Sequence, residues 1–324
     1  MCIVVQKALS LIIHYYYNIE ENFMNFTSLL NALPGSVAQG LVWGLLAIGV
    51  YITYKVLDYS DMTVDGSMAT GGAVAVMLML NGTNPYLALL AAFAAGMLAG
   101  LVTGVFHTVF GIPAILSGIL TQLGLYSINM RILGKSNQAI SVDKFDLVIS
   151  LRYIPEAILI GAIFCAILIA VLYWFFGTEV GHSIRATGNN ANMARAQGIN
   201  TNWNKVLGLV LSNGLVGLAG GLYAQYQGSA DVNMGRGAIV IGLAAIIMSE
   251  VIFGKLFRNF ALKLAGVVLG SILYFAIIAL VLQLGLSTTD LKLFSALIVA
   301  LFLAMPHLKA KFFGQVKSGG KKHA

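Results

Sequence analysis

The side chains of this chain that could do chemistry are the few ionisable ones beside long apolar stretches. Asp61 and Asp65 stand out, because no charged residue follows them until Arg131. A carboxylate inside a bilayer is costly, so such residues commonly mark the path of a solute or an ion. A membrane helix that is broken beside them would also expose backbone groups that can bind a solute. We therefore predict a solute path or gate formed by Asp61, Thr63, Asp65, Gly66 and Ser67.

Further polar residues lie inside the apolar stretches. Gln122 and Asn129 are seven residues apart, which places them on one face of a helix. They could bind a polar solute, or they could form hydrogen bonds to a neighbouring helix. We include both of them, together with Asp231, among the residues predicted to line the solute path.

Two other ionisable residues favour a structural interpretation. Glu250 lies about one turn before the end of an apolar stretch, so its carboxylate can reach the membrane surface or pair with Lys255. His107 lies near the end of another apolar stretch. A histidine in such a place is more often a packed residue with satisfied hydrogen bonds than part of a proton relay. A stand-alone transporter coupled to an ion gradient through Glu250 or Asp61 is the alternative that these residues leave open.

The sequence shows no pattern typical of catalysis, cofactor binding or metal binding. It contains neither a P-loop nor the motifs of serine hydrolases and zinc proteases. Its two cysteines, Cys2 and Cys165, are far apart and form neither a disulfide framework nor a metal site. We therefore predict no enzyme, no cofactor and no metal, and the chain must take its energy from a partner.

Membrane helices must position these residues. The chain is 59% hydrophobic and 10% charged, whereas a soluble domain carries about 25% charged residues, so the bilayer must be its main solvent. About 20 apolar residues span a bilayer as a helix, and we predict an all-α polytopic membrane protein with about nine passes, the second of them irregular. The predicted passes are 33–54, three within 66–130 with breaks at 81–85 and 111–113, then 157–177, 206–226, 237–253, 264–286 and 293–308.

The basic residues indicate the orientation of these passes. They cluster in 178–205, in 254–263 and in the C-terminal tail, and nine passes would place all three on one side. Basic loops face the cytoplasm, so we predict a cytoplasmic C-terminus and a location in the cell (inner, cytoplasmic) membrane. This clustering in loops explains the net charge of +7 better than nucleic-acid binding does.

We divide the chain into three parts. Residues 1–23 precede the more coherent protein, and we predict that they are an extension outside the native protein; a short interfacial helix is the alternative. Residues 24–310 form the transmembrane domain, and 311–324 form a basic cytoplasmic tail. Within the domain, 59–65 can be aligned with 229–235, which suggests an inverted repeat of the kind found in transporters, with a chance match as the alternative.

The polar segment 181–199, between two passes, has the pattern of a short capped helix. Asn190 can cap a helix start, 191–197 favour a helix, and Gly198 suits the left-handed position after its end. This helix could dock into a groove of a cytoplasmic partner, or its arginines could meet anionic lipid. The residues alone leave both alternatives open.

Three motifs, in order, resemble one family of membrane proteins. They are Asp61-Met-Thr-Val-Asp-Gly-Ser67, Arg185-Ala-x-Gly-x-Asn-x-x-x-Ala-Arg-x-x-Gly-Ile199 and Gly217-Leu-Ala-Gly-Gly-Leu-Tyr-Ala-Gln. Over about 35–310 the chain resembles permease subunits of ABC importers of the branched-chain amino-acid and ribose type, with the subgroup linked to aromatic amino acids as the nearest. It departs from that family in its extra Asp65 and in Glu250, where many members have glycines.

The resemblance implies partners and a function. Cytoplasmic ABC ATPase subunits would contact the coupling segment 178–205 through Gly181, Arg185, Ala186, Gly188, Asn189, Asn190, Ala194, Arg195, Gly198 and Ile199. An extracytoplasmic substrate-binding protein would deliver a small polar solute, with an amino acid as the best match. Two copies of the chain would form a homodimer in the bilayer, and ATP hydrolysis would reside in the partner.

Overall fold

The computed structural model describes residues 26–141, 145, 147–254, 256–283, 293, 295–302 and 304. Its helices are α1 (Phe26–Tyr51, extended by a π-helical turn at Ile52–Val56), α2 (Val64–Leu80), α3 (Pro85–Thr108), α4 (Ala114–Leu133), α5 (Ile154–Phe175), α6 (Glu179–Asn189), α7 (Ala191–Ala196), α8 (Thr201–Gln227), α9 (Ala238–Phe253) and α10 (Phe260–Gln283). Two short strands, β1 (Asn137–Ala139) and β2 (Ser229–Asp231), pair antiparallel with Gln138 opposite Ala230. The described chain is mostly helical, as predicted, and this strand pair is a departure from the all-α expectation.

Five of the described helical segments are long and apolar enough to cross a membrane. They are Asn31–Val56, Pro85–Thr108, Ile154–Phe175, Thr201–Gln227 and Phe260–Gln283, while α2 and α9 are apolar but shorter. Helical residues stand at each predicted pass, including 295–302 for the last one. These helices fit an integral membrane protein, and the number of nine passes stays a prediction.

The chain breaks on either side of α3 are confirmed and have local causes. Before α3, the Asn84 side chain accepts a hydrogen bond from the Tyr86 backbone N–H at 2.9 Å, and Pro85 occupies the first turn, where its missing N–H is not needed. After α3, Gly111 adopts a positive φ of 69° and Pro113 precedes the first turn of α4. The residues themselves therefore set both turns.

The predicted irregular second pass is present as a short helix with a non-helical approach. Residues 57–61 form no helix, and α2 has 17 residues, or about 25 Å at 1.5 Å per residue. The first turns of α2 lie beside the middle of other helices: a Cβ on Gly66 would contact Leu125 in α4 at 3.0 Å, and Ser67 bonds to Asn213 in α8. Helix α2 therefore begins deep inside the bundle.

Small residues bring α3 and α8 into close contact. Gly96 faces the backbone of Asn213, and one turn later Gly100 faces the backbone of Leu209. Gly104 continues this stripe towards the start of α8. Since lipid provides no hydrophobic drive between helices, close backbone approach of this kind is a main source of their attraction. The stripe fixes α8 against α3 along most of its length.

Helix α1 occupies the centre of the bundle and α5 its periphery. The membrane-length window of α1 is 83% buried, whereas that of α5 is 22% buried. Helix α1 packs against α5, α8, α9 and α10. A movement at the end of α1 would therefore reach most of the bundle.

The two stretches aligned as an inverted repeat differ in local structure. Residues 59–61 form neither helix nor strand, whereas 229–231 form β2. Each stretch precedes a short apolar helix, α2 or α9. The repeat itself stays a prediction.

Candidate solute path and coupling segment

Asp61 is buried between the approach to α2 and the middle of α8. Its side chain is 2% exposed, and its carboxylate accepts hydrogen bonds from the Thr63 backbone N–H at 2.9 Å and from the Asn213 amide at 2.6 Å. The Asn213 carbonyl oxygen accepts in turn from the Ser67 hydroxyl at 2.6 Å. A buried carboxylate needs such donors, and here they join the approach to α2 to α8.

Three threonines extend this arrangement to α3 and α4. The Thr63 hydroxyl lies 2.7 Å from that of Thr103, which donates to Thr121 at 2.9 Å. We call Asp61, Thr63, Ser67, Thr103, Thr121 and Asn213 the buried polar network. Three of its members, Asp61, Thr63 and Ser67, were predicted to line the solute path; the structure places them inside the protein, hydrogen bonded to their neighbours.

Asp65 links the first turn of α2 to the first turn of α9. Its carboxylate accepts hydrogen bonds from the backbone N–H groups of Gly237 and Ile239, both at 3.0 Å. Gly235 packs directly on the Asp65 backbone. A negative charge suits a helix N-terminus, so Asp65 holds the starts of the two short helices together.

A cavity of about 270 Å³ opens beside this junction. We call it the polar cavity; its lining includes Asp65, Gly66, Gln122, Tyr126, Asn129 and Arg236. The structure thus brings together four of the residues predicted for the solute path. Asp231 lies in β2 and does not line the cavity; its carboxylate accepts from the Asn233 backbone N–H at 2.7 Å and so shapes the turn that does.

The structural interpretations of Glu250 and His107 agree with the contacts seen. The Glu250 carboxylate pairs with Lys55 at 2.7 Å, and both side chains are nearly half exposed; the predicted partner Lys255 lies outside the described residues. His107 Nδ1 lies 2.8 Å from the Ile112 carbonyl oxygen, and its Nε2 lies 3.2 Å from Lys205 Nζ. Both residues therefore have structural partners.

The coupling segment 178–205 contains two helices where the sequence predicted one. Thr178 caps α6 by accepting from the Gly181 N–H at 3.4 Å. Asn190 caps α7 by accepting from the Met193 N–H at 3.0 Å, and Gly198 follows with a φ of 80°. The predicted helix after Asn190 is confirmed, with its end at Ala196, and α6 was missed.

Helix α6 turns its most distinctive residues towards the bundle. A Cβ on Gly188 would lie 2.8 Å from Leu57 Cα, and Gly181 packs on the backbone of Phe176. The Arg185 guanidinium lies 4.1 Å from the centre of the Phe260 ring, a favourable cation–π distance. Burial lowers the pKa of this guanidinium, but arginine starts so high that it stays charged. These residues anchor α6 to α1, α5 and α10.

Other parts of the segment face outwards. Among the remaining predicted coupling residues, Ala194 is buried, Ala186 and Ile199 are half-buried, and Asn189, Asn190, Arg195 and Gly198 are exposed. The large apolar side chains of Met193 and Trp203 are also exposed, by 62% and 59%. Arg195 Nε donates to the Thr201 hydroxyl at 3.1 Å, which ties α7 to α8 and holds the exposed residues in place.

Comparison with known proteins decides the family. Residues 33–306 match a family described as the permease component of the branched-chain amino acid transport system. The chain belongs to this family. The permease is 40% identical over 280 residues to the tyrosine transport system permease protein of Clostridioides difficile, covering 86% of this chain and 92% of that protein.

More distant relatives are named for sugar transport. The permease is 28% identical to the D-allose transport system permease protein of Escherichia coli, covering 75% of this chain and 74% of that one. It is 26% identical to the ribose import permease protein of the same species, over 74% of each chain. No solved structure matches the chain. The protein is therefore an integral membrane permease component of an ABC-type transport system, and the resemblance is confirmed.

Several residues of these sites were missed from the sequence of the permease. Asn213, Thr103 and Thr121 lie inside apolar stretches and were not singled out, although a polar side chain in such a stretch is itself a signal. Arg236 was not singled out either. Its position in the cavity lining depends on the turn after β2, and no local sequence pattern predicts that turn.

Proposed function

We propose that this permease is the membrane subunit of an importer that carries an amino acid into the cytoplasm, with an aromatic amino acid as the best match. The relative named for tyrosine transport supports this solute class, because it is 40% identical over most of both chains. The relatives named for allose and ribose are 28% and 26% identical. An extracytoplasmic binding protein delivers the solute, and separate ATPase subunits supply the energy.

The observation that carries this proposal is the contact between the coupling segment and the approach to α2. Gly188 in α6 packs on Leu57, which begins the non-helical stretch leading to α2. The first turn of α2 contributes Asp65 to the polar cavity. A push on α6 would therefore move the approach to α2 and the cavity wall together, a mechanical link of the kind that interfaces with two packings provide.

The exposed residues of the coupling segment are suited to binding the ATPase. Interfaces are enriched in Trp and Met and depleted in Lys and Glu at their centres. Trp203 and Met193 are exposed, and capped helices and the Arg195–Thr201 bond hold their backbones. The residues that the resemblance assigns to ATPase contact then act in two ways. Those that face outwards bind the ATPase, and Arg185 and Gly188 transmit its movement to the membrane helices.

The alternative of an ion-coupled transporter finds little support in the residues it requires. Glu250 pairs with Lys55 near the C-terminal end of α9, and both side chains are nearly half exposed. Asp61 is enclosed by Thr63 and Asn213 and does not line the polar cavity. Asp61 is thus closed off from the polar cavity, and Glu250, which lines a separate cavity of about 400 Å³, already has its charge paired with Lys55.

The test is uptake by the native complex. The permease is purified from its own membranes with any bound proteins, which mass spectrometry identifies, and is then reconstituted into vesicles. We expect an ATPase and a binding protein to co-purify, and ATP to drive uptake of labelled tyrosine. Uptake by the permease alone under an ion gradient, without ATP, would overturn the proposal. The mass of the intact complex checks the further expectation of two permease copies.

A further inference from the structure

The polar cavity lies where the starts of two short helices meet inside the bundle. Asp65 in α2 bonds to the N–H groups of Gly237 and Ile239 at the start of α9. Two residues later, Ser67 bonds to Asn213 near the middle of α8, which is long and apolar enough to span a membrane. The middle of a spanning helix lies near the bilayer centre. The cavity therefore lies between the first turns of α2, which contact the middle of α8, and the turn after β2, which contributes Asn233 and Arg236 to the lining.

Asn129 is the clearest sign that this cavity has an occupant. Its side chain is fully buried, and neither its amide nitrogen nor its carbonyl oxygen has a hydrogen-bond partner among the described residues. Buried polar groups are nearly always paired, so an orphaned carboxamide calls for an explanation. Asn129 lines the cavity together with Gln122, seven residues earlier and about 10 Å along the same face of α4. Both carboxamides can therefore meet one elongated occupant.

The cavity also contains a charge of each sign. Asp65 uses its carboxylate oxygens for two backbone N–H groups, which leaves lone pairs for a further donor. Arg236 forms no ion pair with any described carboxylate, and a guanidinium can bind a carboxylate through two parallel hydrogen bonds. The ring of Tyr126 and the side chain of Leu123 form an apolar part of the wall.

We propose that the polar cavity is a transit site of the permease that binds an amino acid as its zwitterion. The solute carboxylate binds Arg236, its ammonium group binds Asp65, and Asn129 with Gln122 hydrogen bonds to its polar groups. This inference rests on the proposed import function and adds the place and the recognition chemistry. A neutral sugar would leave both charges unpaired, and a site built for polar partners rejects a solute that lacks them.

The first experiment measures binding directly. The purified complex of permease and ATPase, without the binding protein, is titrated with L-tyrosine, tyrosine amide, N-acetyltyrosine and D-ribose while its melting temperature is recorded. We expect L-tyrosine to raise the melting temperature and the other three probes, each lacking one or both charges, to have little effect. Protection by ribose, protection by either blocked derivative equal to that by L-tyrosine, or no protection by any probe would overturn the proposal. The last result means that the cavity holds only water.

The second experiment uses a pair of matched variants. Asn129→Leu removes two unpaired buried polar atoms inside the cavity, and Ser271→Ala removes one unpaired buried hydroxyl in α10, outside the cavity lining. Neither change breaks a hydrogen bond of the described protein, so both complexes should assemble with melting temperatures at or above that of the wild type. We expect Asn129→Leu to lower ATP-driven tyrosine uptake by about tenfold or more and Ser271→Ala to leave it unchanged. Uptake by Asn129→Leu within twofold of wild type would overturn the proposal.

A third variant covers the case in which Asn129→Leu fails to assemble. Arg236 is exposed, so Arg236→Gln should fold, and we expect it to raise the tyrosine concentration needed for protection. Unchanged protection would contradict the assigned role. The wild-type complex separates the two proposals: absence of ATP-driven uptake there refutes the import function, whereas normal uptake in both wild type and Asn129→Leu refutes only the transit site.

Discussion

Gly188 in α6 packs on Leu57, at the end of the π-helical turn that follows α1. A Cβ at this glycine would lie 2.8 Å from Leu57 Cα, closer than real side chains approach a backbone. The coupling segment and the approach to α2 are thus in contact without an intervening side chain. Any side chain at position 188 must separate them.

The first prediction concerns this contact. Gly188→Ala should disturb the packing of α6 on α1, with overpacking that costs about 1–3 kcal/mol, and should lower both uptake and substrate-stimulated ATPase activity. The stronger change Gly188→Pro should abolish both. Gly124→Ala in α4 is the matched control, because nothing lies within 4 Å of its added Cβ; it should leave both activities intact. Equal activities in Gly188→Ala and Gly124→Ala would show that the contact transmits nothing.

The second prediction separates anchoring from direct binding at Arg185. Its guanidinium lies over the Phe260 ring at 4.1 Å and the Phe176 ring at 5.2 Å, contacts worth about 1 kcal/mol. Arg185→Gln and Arg185→Glu should lower uptake while the ATPase still co-purifies, because the residue faces the permease itself. Arg258→Gln makes the same charge change on an exposed residue and should have little effect. Loss of the ATPase from Arg185→Gln alone would instead indicate direct contact.

The third prediction concerns the exposed apolar residues of the coupling segment. Trp203→Ala and Met193→Glu should weaken ATPase binding by about 2 kcal/mol or more, as central interface residues do, without unfolding the permease. Tyr86, exposed by 61% at the start of α3, provides the control Tyr86→Ala. Pull-down of the ATPase at increasing dilution measures the effect. Retention of the ATPase at wild-type levels by both coupling variants would place the interface elsewhere.

The fourth prediction tests the buried polar network by exchange of partners. Asp61→Asn places an amide where the Asn213 amide and the Thr63 N–H both donate, so it should cost about 1–3 kcal/mol and lower the melting temperature in detergent. The double variant Asp61→Asn with Asn213→Asp restores a donor opposite an acceptor. It should recover part of the loss, since the Asn213 bond to the Leu209 carbonyl is still missing. If the loss of stability in the double variant equals the sum of the losses in the two single variants, direct coupling of Asp61 and Asn213 is excluded.

The fifth prediction addresses the ion-coupled alternative. The Lys55–Glu250 pair is nearly half exposed on both sides, and such pairs contribute about 0–1 kcal/mol. Loss of this pair should therefore have little effect on the stability of the permease, and Glu250→Gln should leave ATP-driven uptake within about twofold of wild type. Uptake is measured with and without an uncoupler that collapses ion gradients. Sensitivity to the uncoupler that disappears in Glu250→Gln would favour the alternative.

Much of the fold could be read from local patterns in the sequence. The breaks around α3 depend on Pro85, Gly111 and Pro113, which act on their own turn of chain. The cap at Asn190 and the left-handed Gly198 were predicted for the same reason. Apolar length identified the membrane helices, because the bilayer imposes the same requirement on every span.

The candidate sites depend on contacts between distant parts of the chain, which local patterns do not contain. Asp61 meets Asn213, Glu250 meets Lys55, and Asp65 meets the start of α9. These partners are chosen by how the helices pack, since a side chain bonds to whichever group the neighbouring backbone presents.

The sequence alone therefore determined that this chain spans a membrane as helices, that a capped polar segment lies between two of them, and which family it resembles. Only the tertiary structure decided which of its polar residues are enclosed and which line a cavity. Asp61 and Asp65 show the difference: they are four residues apart in equally apolar surroundings, yet one is sealed against α8 and the other faces the polar cavity. Asp61 lies in the non-helical approach and Asp65 in the first turn of α2, so the burial of each depends on which element packs against it, and that is set by residues far along the chain.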